Sequence, residues 1–117
     1  MMNKQFLRKL DDTDFYAVIQ ETLGASIVFF SNEGCNSCRY WKALLDQLAG
    51  TRPTLNIFEV DAQQSMGLTR EYEVFHLPSL FVFVNGQYHA PLQCEARLDT
   101  IDHSLDKVLA APAQDAP

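Results

Sequence analysis

Hydrophobic and polar positions follow two rhythms along the chain. Ala25-Ser-Ile-Val-Phe-Phe-Ser31 is apolar on both faces and rich in β-branched and aromatic residues, the pattern of a central strand covered on both sides. It stops at Asn32-Glu33-Gly34. Trp41, Leu44, Leu45 and Leu48 then recur at helical spacing, predicting a helix over about Cys35 to Ala49 with Gly50 placed to end it. Asn56–Asp61 reads as a strand and Ser65–Tyr72 as a short helix. Leu80-Phe-Val-Phe-Val84, Asn85-Gly86 and Gln87–Gln93 form a hairpin signal, because Asn-Gly accepts the positive φ angles of a type I′ turn. Upstream, Gln5–Leu10 reads as a short edge strand, and Asp11, Asp12 and Thr13 as caps for a helix reaching about Leu23 before Gly24. Leu98, Ile101, Leu105, Val108 and Leu109 share one face of a final helix. The order β-α-β-α-β-α-β-β-α predicts an α/β fold, a central mixed sheet flanked by helices on both faces, with parallel crossovers early and an antiparallel hairpin late.

A length of 117 residues fits one compact domain, read here as residues 1–110 with a flexible Ala/Pro-rich tail over 111–117. Nine Lys+Arg against fifteen Asp+Glu give a net charge of −6, and no basic run is present to neutralise phosphates. Nucleic acid and anionic membranes are poor partners on that account. The longest apolar runs fall far short of the ~20 residues needed to cross a bilayer. Met1–Leu10 carries Lys4, Arg8 and Lys9 and lacks the apolar stretch of a secretory signal, so a cytoplasmic location is expected.

Three cysteines are too few for a disulfide scaffold and direct attention to reactivity or metal. Cys35 and Cys38 form Cys-Asn-Ser-Cys between a buried strand and a helix. Cys35 then sits where unpaired N–H groups and the helix dipole favour a thiolate, with Cys38 one turn on along the same face. That spacing permits a disulfide. The first thiol can attack a substrate disulfide, and the second can reach the mixed disulfide and release the product. A zinc site would need four ligands. Cys94 with His76, His89 or His103 offers no zinc-ribbon spacing, so no metal is expected.

At these residues the sequence resembles the thioredoxin family, over about Phe15 to Val108. Ile27-Val-Phe-Phe30 leads into Cys35-Asn-Ser-Cys38, Val60-Asp61 ends the next strand, and Tyr72-Glu-Val-Phe-His-Leu-Pro-Ser79 precedes Leu80-Phe-Val-Phe-Val-Asn-Gly86. The resemblance implies a thioredoxin-like fold and thiol–disulfide oxidoreductase activity, with Cys35 as nucleophile, Cys38 as resolving thiol and no bound cofactor. It implies protein disulfide substrates and a reductase or other electron donor as partners. It also implies a cis Pro78 facing the cysteine pair, with the Leu77 backbone binding extended substrate; read alone, Pro78 is an ordinary turn residue before a strand.

Several positions depart from the family pattern. Gly34 replaces the usual aromatic before the nucleophile, and Asn36 and Ser37 the usual Gly-Pro. Phe29 stands where many members keep a buried Asp, and Ile57 where its Lys partner stands, so slow release by Cys38 is expected. Cys94 falls near a position that is commonly Gly, in the strand flanking the active-site loops; it is either a small buried hydrophobe or an auxiliary thiol. His76 is either a rim residue favouring the Cys35 thiolate or a solvated loop residue. His89, His103 and the acidic pairs read as solvated surface. The alternative function is a thioredoxin-fold protein-binding module with little redox turnover.

Overall fold

The computed structural model describes residues 7–117. Gln5 and Phe6 of the expected edge strand, and most of the N-terminal stretch read for a signal, lie outside them. The elements are β1 (Leu7–Leu10), α1 (Phe15–Glu21), β2 (Ala25–Ser31), α2 (Asn36–Thr51), β3 (Asn56–Asp61), α3 (Met66–Glu71), β4 (Ser79–Val84), β5 (Gln87–Pro91) and α4 (Leu98–Ala110).

The five strands form one mixed sheet in the order β1-β3-β2-β4-β5. β1 and β2 run parallel to β3, while β4 is antiparallel to β2 and to β5. Alternation along β2 divides the core in two. Ile27 and Phe29 pack with Trp41, Leu45 and Leu48 of α2 and Ile101 and Leu105 of α4. Val28 and Phe30 pack on the opposite face with Phe15 and Ile19 of α1 and Leu68 of α3. Helices thus cover both faces of an α/β sheet.

Local chemistry sets boundaries that periodicity misplaces. α1 stops at Glu21 rather than near Leu23, since Thr22 is extended and its hydroxyl donates to the Val18 carbonyl at 2.7 Å. Leu23 is left exposed. Asp12 caps a different helix from the one it precedes: its carboxylate accepts from the N–H groups of Gly67 and Leu68 at 3.1 and 2.9 Å, at the start of α3. α2 runs through Gly50 to Thr51. β5 ends at Pro91, which has no N–H for the ladder, so Cys94 lies in the loop before α4 and not in a strand.

His89 and two of the acidic residues are also not simple solvated surface. His89 occupies the irregularity in the β4–β5 register, half-buried, with Nε2 2.9 Å from the carbonyls of both Val108 and Ala111 at the end of α4. Arg52, at the end of α2, pairs with Asp102 and Asp106 of α4 at 2.7 Å each. His103 is exposed. Beyond α4 the chain is exposed and outside helix or strand, and the Gln114 N–H donates to the His89 carbonyl at 2.7 Å.

Asn85 and Gly86 both have positive φ, 51° and 80°, as the hairpin turn requires. Asn85 also bonds Gly24 in both directions, at 2.9 Å through its N–H and 2.7 Å through its Oδ1. A Cβ on Gly86 would lie 2.8 Å from the Ile19 carbonyl oxygen and 3.0 Å from that of Gln20. Gly86→Ala is therefore expected to cost about 1–3 kcal/mol of stability through strain and a clash with rigid backbone. Urea unfolding of the variant checks this, with wild-type midpoint and slope counting against it.

Candidate functional site

The site begins where β2 leaves the sheet. Asn32 shapes the exit: its Oδ1 accepts from the Gly34 N–H at 2.8 Å and its carbonyl from the Cys35 N–H at 3.3 Å. Gly34 has no positive φ, and a Cβ there would meet only Asn32 Oδ1 at 3.5 Å, so its lack of a side chain is not a backbone requirement. Arg39 reaches back to the Glu33 carbonyl at 3.4 Å and bonds Asn36, bracing the turn.

Cys35 is the N-cap of α2, with extended dihedrals. Its sulfur accepts the Cys38 N–H at 3.1 Å and lies 3.4 Å from Ser37 Oγ. Cys38, in the first turn, is disulfide-bonded to Cys35 with the Cα atoms 5.2 Å apart. Their accessibilities differ: Cys35 is half-buried, whereas Cys38 is 3% exposed and part of the core. The N–H groups at this helix start favour negative charge on the outer sulfur, and the sulfur itself is the capping acceptor. A dithiol held this way can exchange with an incoming disulfide through its outer sulfur.

The Leu77-Pro78 peptide is cis, in the loop before β4, and Leu77 packs against both halves of the core. The Ser79 hydroxyl donates to the His76 carbonyl at 2.7 Å, closing the turn. Pro78, His76, Cys94 and Trp41 line one apolar cleft of about 240 Å³. Cys94 is half-buried there. Burial pushes its thiol pKa up, opposed by a hydrogen bond with Ser104 and reinforced by the Glu95 carboxylate. His76 is exposed at the cleft edge, and the neighbouring Phe75 is 87% exposed.

Cys38 lines a second cleft, of about 480 Å³, with Ser31, Arg39, Lys42, Glu59 and Asp61 among its walls. Glu59 escapes a reading by sequence motif, yet the pattern of β3 holds the signal. Asn-Ile-Phe-Glu-Val-Asp places Ile57 and Glu59 on one face and Phe58 and Val60 on the other, so an acid in mid-strand falls under α2. Phe29, as expected, is fully buried. Among the described residues no group of three or more His, Cys, Asp or Glu is gathered to hold a metal ion, nor is any helix long and apolar enough to cross a membrane.

The sequence model of the family described as Thioredoxin matches residues 6–107. A thioredoxin of Staphylococcus epidermidis is 30% identical over 80 residues, covering 68% of this chain and 75% of the relative. One from Staphylococcus aureus is 29% identical over the same shares.

On reduction, the Cys35 thiol is expected to ionise below the free-thiol value of about 8.5, held by the Cys38 N–H and the start of α2, while Cys94 ionises above it. Alkylation rates of the two thiols against pH, read by peptide mass mapping, check both. Equal rates at neutral pH would contradict this electrostatic account.

Proposed function

Because the chain belongs to the thioredoxin family and is a thiol–disulfide oxidoreductase, we propose that Cys35 is its attacking thiol, Cys38 its resolving thiol and the cleft beside Pro78 its substrate groove. The difference in access between the two sulfurs carries this assignment. The Cys35 thiolate attacks one sulfur of a protein disulfide, forming a Cys35–substrate bond and expelling the other sulfur as thiolate. Cys38 then attacks the Cys35 sulfur, forming the observed disulfide and releasing the remaining substrate thiolate. Two electrons have passed to the substrate. A reductase or other dithiol donor must return them to the couple.

In this reading the Leu77 backbone receives an extended substrate segment, with His76 and Gly34 on the rim. A side chain at Gly34 would meet only Asn32 Oδ1 at its Cβ, so this part of the rim is open beside the nucleophile in sequence. Cys94 lines the same groove as a shielded thiol that is slow to react near neutral pH. Cysteine usage supports a cytoplasmic location: two of three thiols form one exchangeable couple rather than a scaffold.

Cys38→Ser is expected to retain attack and lose release, accumulating mixed disulfides through Cys35. Affinity capture of this variant from cells, followed by elution with reductant, is expected to yield partner proteins that a Cys35→Ser, Cys38→Ser control does not. Identical eluates from the two would overturn the assignment of roles.

A further inference from the structure

Cys38 must lose a proton before its sulfur can attack, and the side chain nearest the usual acceptor position, Phe29, has no group to take it. The register of the sheet supplies one a strand away. Glu59 of β3 is the pairing partner of Phe29 of β2, and parallel partners present their side chains to the same face. That face is the one covered by α2, which carries Cys38.

The carboxylate is built into place. Glu59 is 9% exposed, and its Oε2 accepts the Ser31 hydroxyl at 2.7 Å. Its Oε1 is buried with no aligned donor, although Lys42 Nζ lies 3.2 Å away. A buried acid held by one hydroxyl and one ammonium is costly to keep in a strand whose inward neighbour Ile57 is apolar. The cleft that Glu59 shares with Cys38 is polar and has room for several waters at about 30 Å³ each.

Other charged groups fit the task less well. Asp61 shares the cleft, but its Oδ1 accepts the N–H groups of Gln63 and Gln64 at 2.9 and 3.1 Å. Glu33 is exposed. Asp46, whose pKa burial raises against the pull of Lys42, lines a neighbouring cavity that Cys38 does not. Lys9, opposite Glu59 in the β1–β3 register, adds a second cation beside Lys42, and Arg39 stands at the cleft wall.

We propose that Glu59 accepts the Cys38 proton in the release step, with Ser31 and Lys42 positioning its carboxylate; this rests on the roles given above to Cys35 and Cys38. The Cys38 S–H bond breaks and its proton passes to Glu59, directly or through one cleft water. The Cys38 sulfur bonds Cys35, and the substrate leaves as thiolate with the electron pair of the broken S–S bond. Glu59 then returns its proton to solvent through the cleft. The slow release expected from Phe29 alone would therefore not occur.

The test mixes the reduced protein, in a Cys94→Ser background, with a chromogenic aromatic disulfide in a stopped-flow instrument. Attack and release each liberate one coloured thiolate. Glu59→Gln is expected to slow the second phase roughly tenfold or more at pH 7, leave the first unchanged, and lose its deficit as pH rises; proton transfer to a placed base typically contributes about 10²–10⁴-fold. Glu59→Asp is expected to restore part of the rate. A Glu59→Gln second phase with the parent's rate and pH profile would overturn the proposal alone, as would equal slowing of both phases with a fall in Tm, which marks a structural role. Absence of a second phase in the parent would overturn the assignment of Cys38 and the proposal with it.

Discussion

β2 is enclosed on four sides, by β3 and β4 along its edges and by helices over both faces, and reactive groups can meet water only where that enclosure ends. Its backbone polar groups are satisfied by neighbouring strands, and Ile27–Phe30 are sealed within the core. The chain first reaches solvent after Ser31, and within four residues it has turned and placed a sulfur at a helix start. The parallel pairing of β2 with β3 ends at the same level. The acids of β3, the hydroxyl of Ser31 and the first turn of α2 are thereby gathered at one edge of the sheet.

This arrangement divides the surroundings of the two sulfurs. Cys35 faces outward with backbone N–H groups behind it, while Cys38 faces inward toward a polar cleft. The cis Pro78 loop closes a separate apolar cleft. In the roles proposed above, substrate recognition and proton movement would use these two separate clefts, so a change in one wall need not disturb the other.

The sheet and its four helices were legible because their apolar residues obey simple periods, and the couple was legible because Cys-X-X-Cys follows a buried strand. Features made by long-range contacts were not. Asp12 precedes one helix and caps another across the fold, which no local pattern encodes. His89 looks like a surface residue until the β4–β5 register turns it toward the end of α4. Glu59 hides for a related reason: an acid in a short strand is unremarkable until pairing with β2 sets it level with Phe29 and beneath α2. Each needed the partner strand or helix to be in place.

The irregular β4–β5 register has a further consequence for association between copies. β5 and β1 are the two margins of the sheet, where an unpaired ladder could recruit a strand from another molecule. On β5, Pro91 withholds a donor, the His89 irregularity interrupts the repeat, and the Gln114 N–H already occupies the His89 carbonyl. On β1, Arg8 and Lys9 put positive charge at the other margin. Both rims are blunted against edge-to-edge growth, so the sheet offers little template for aggregation of its own copies.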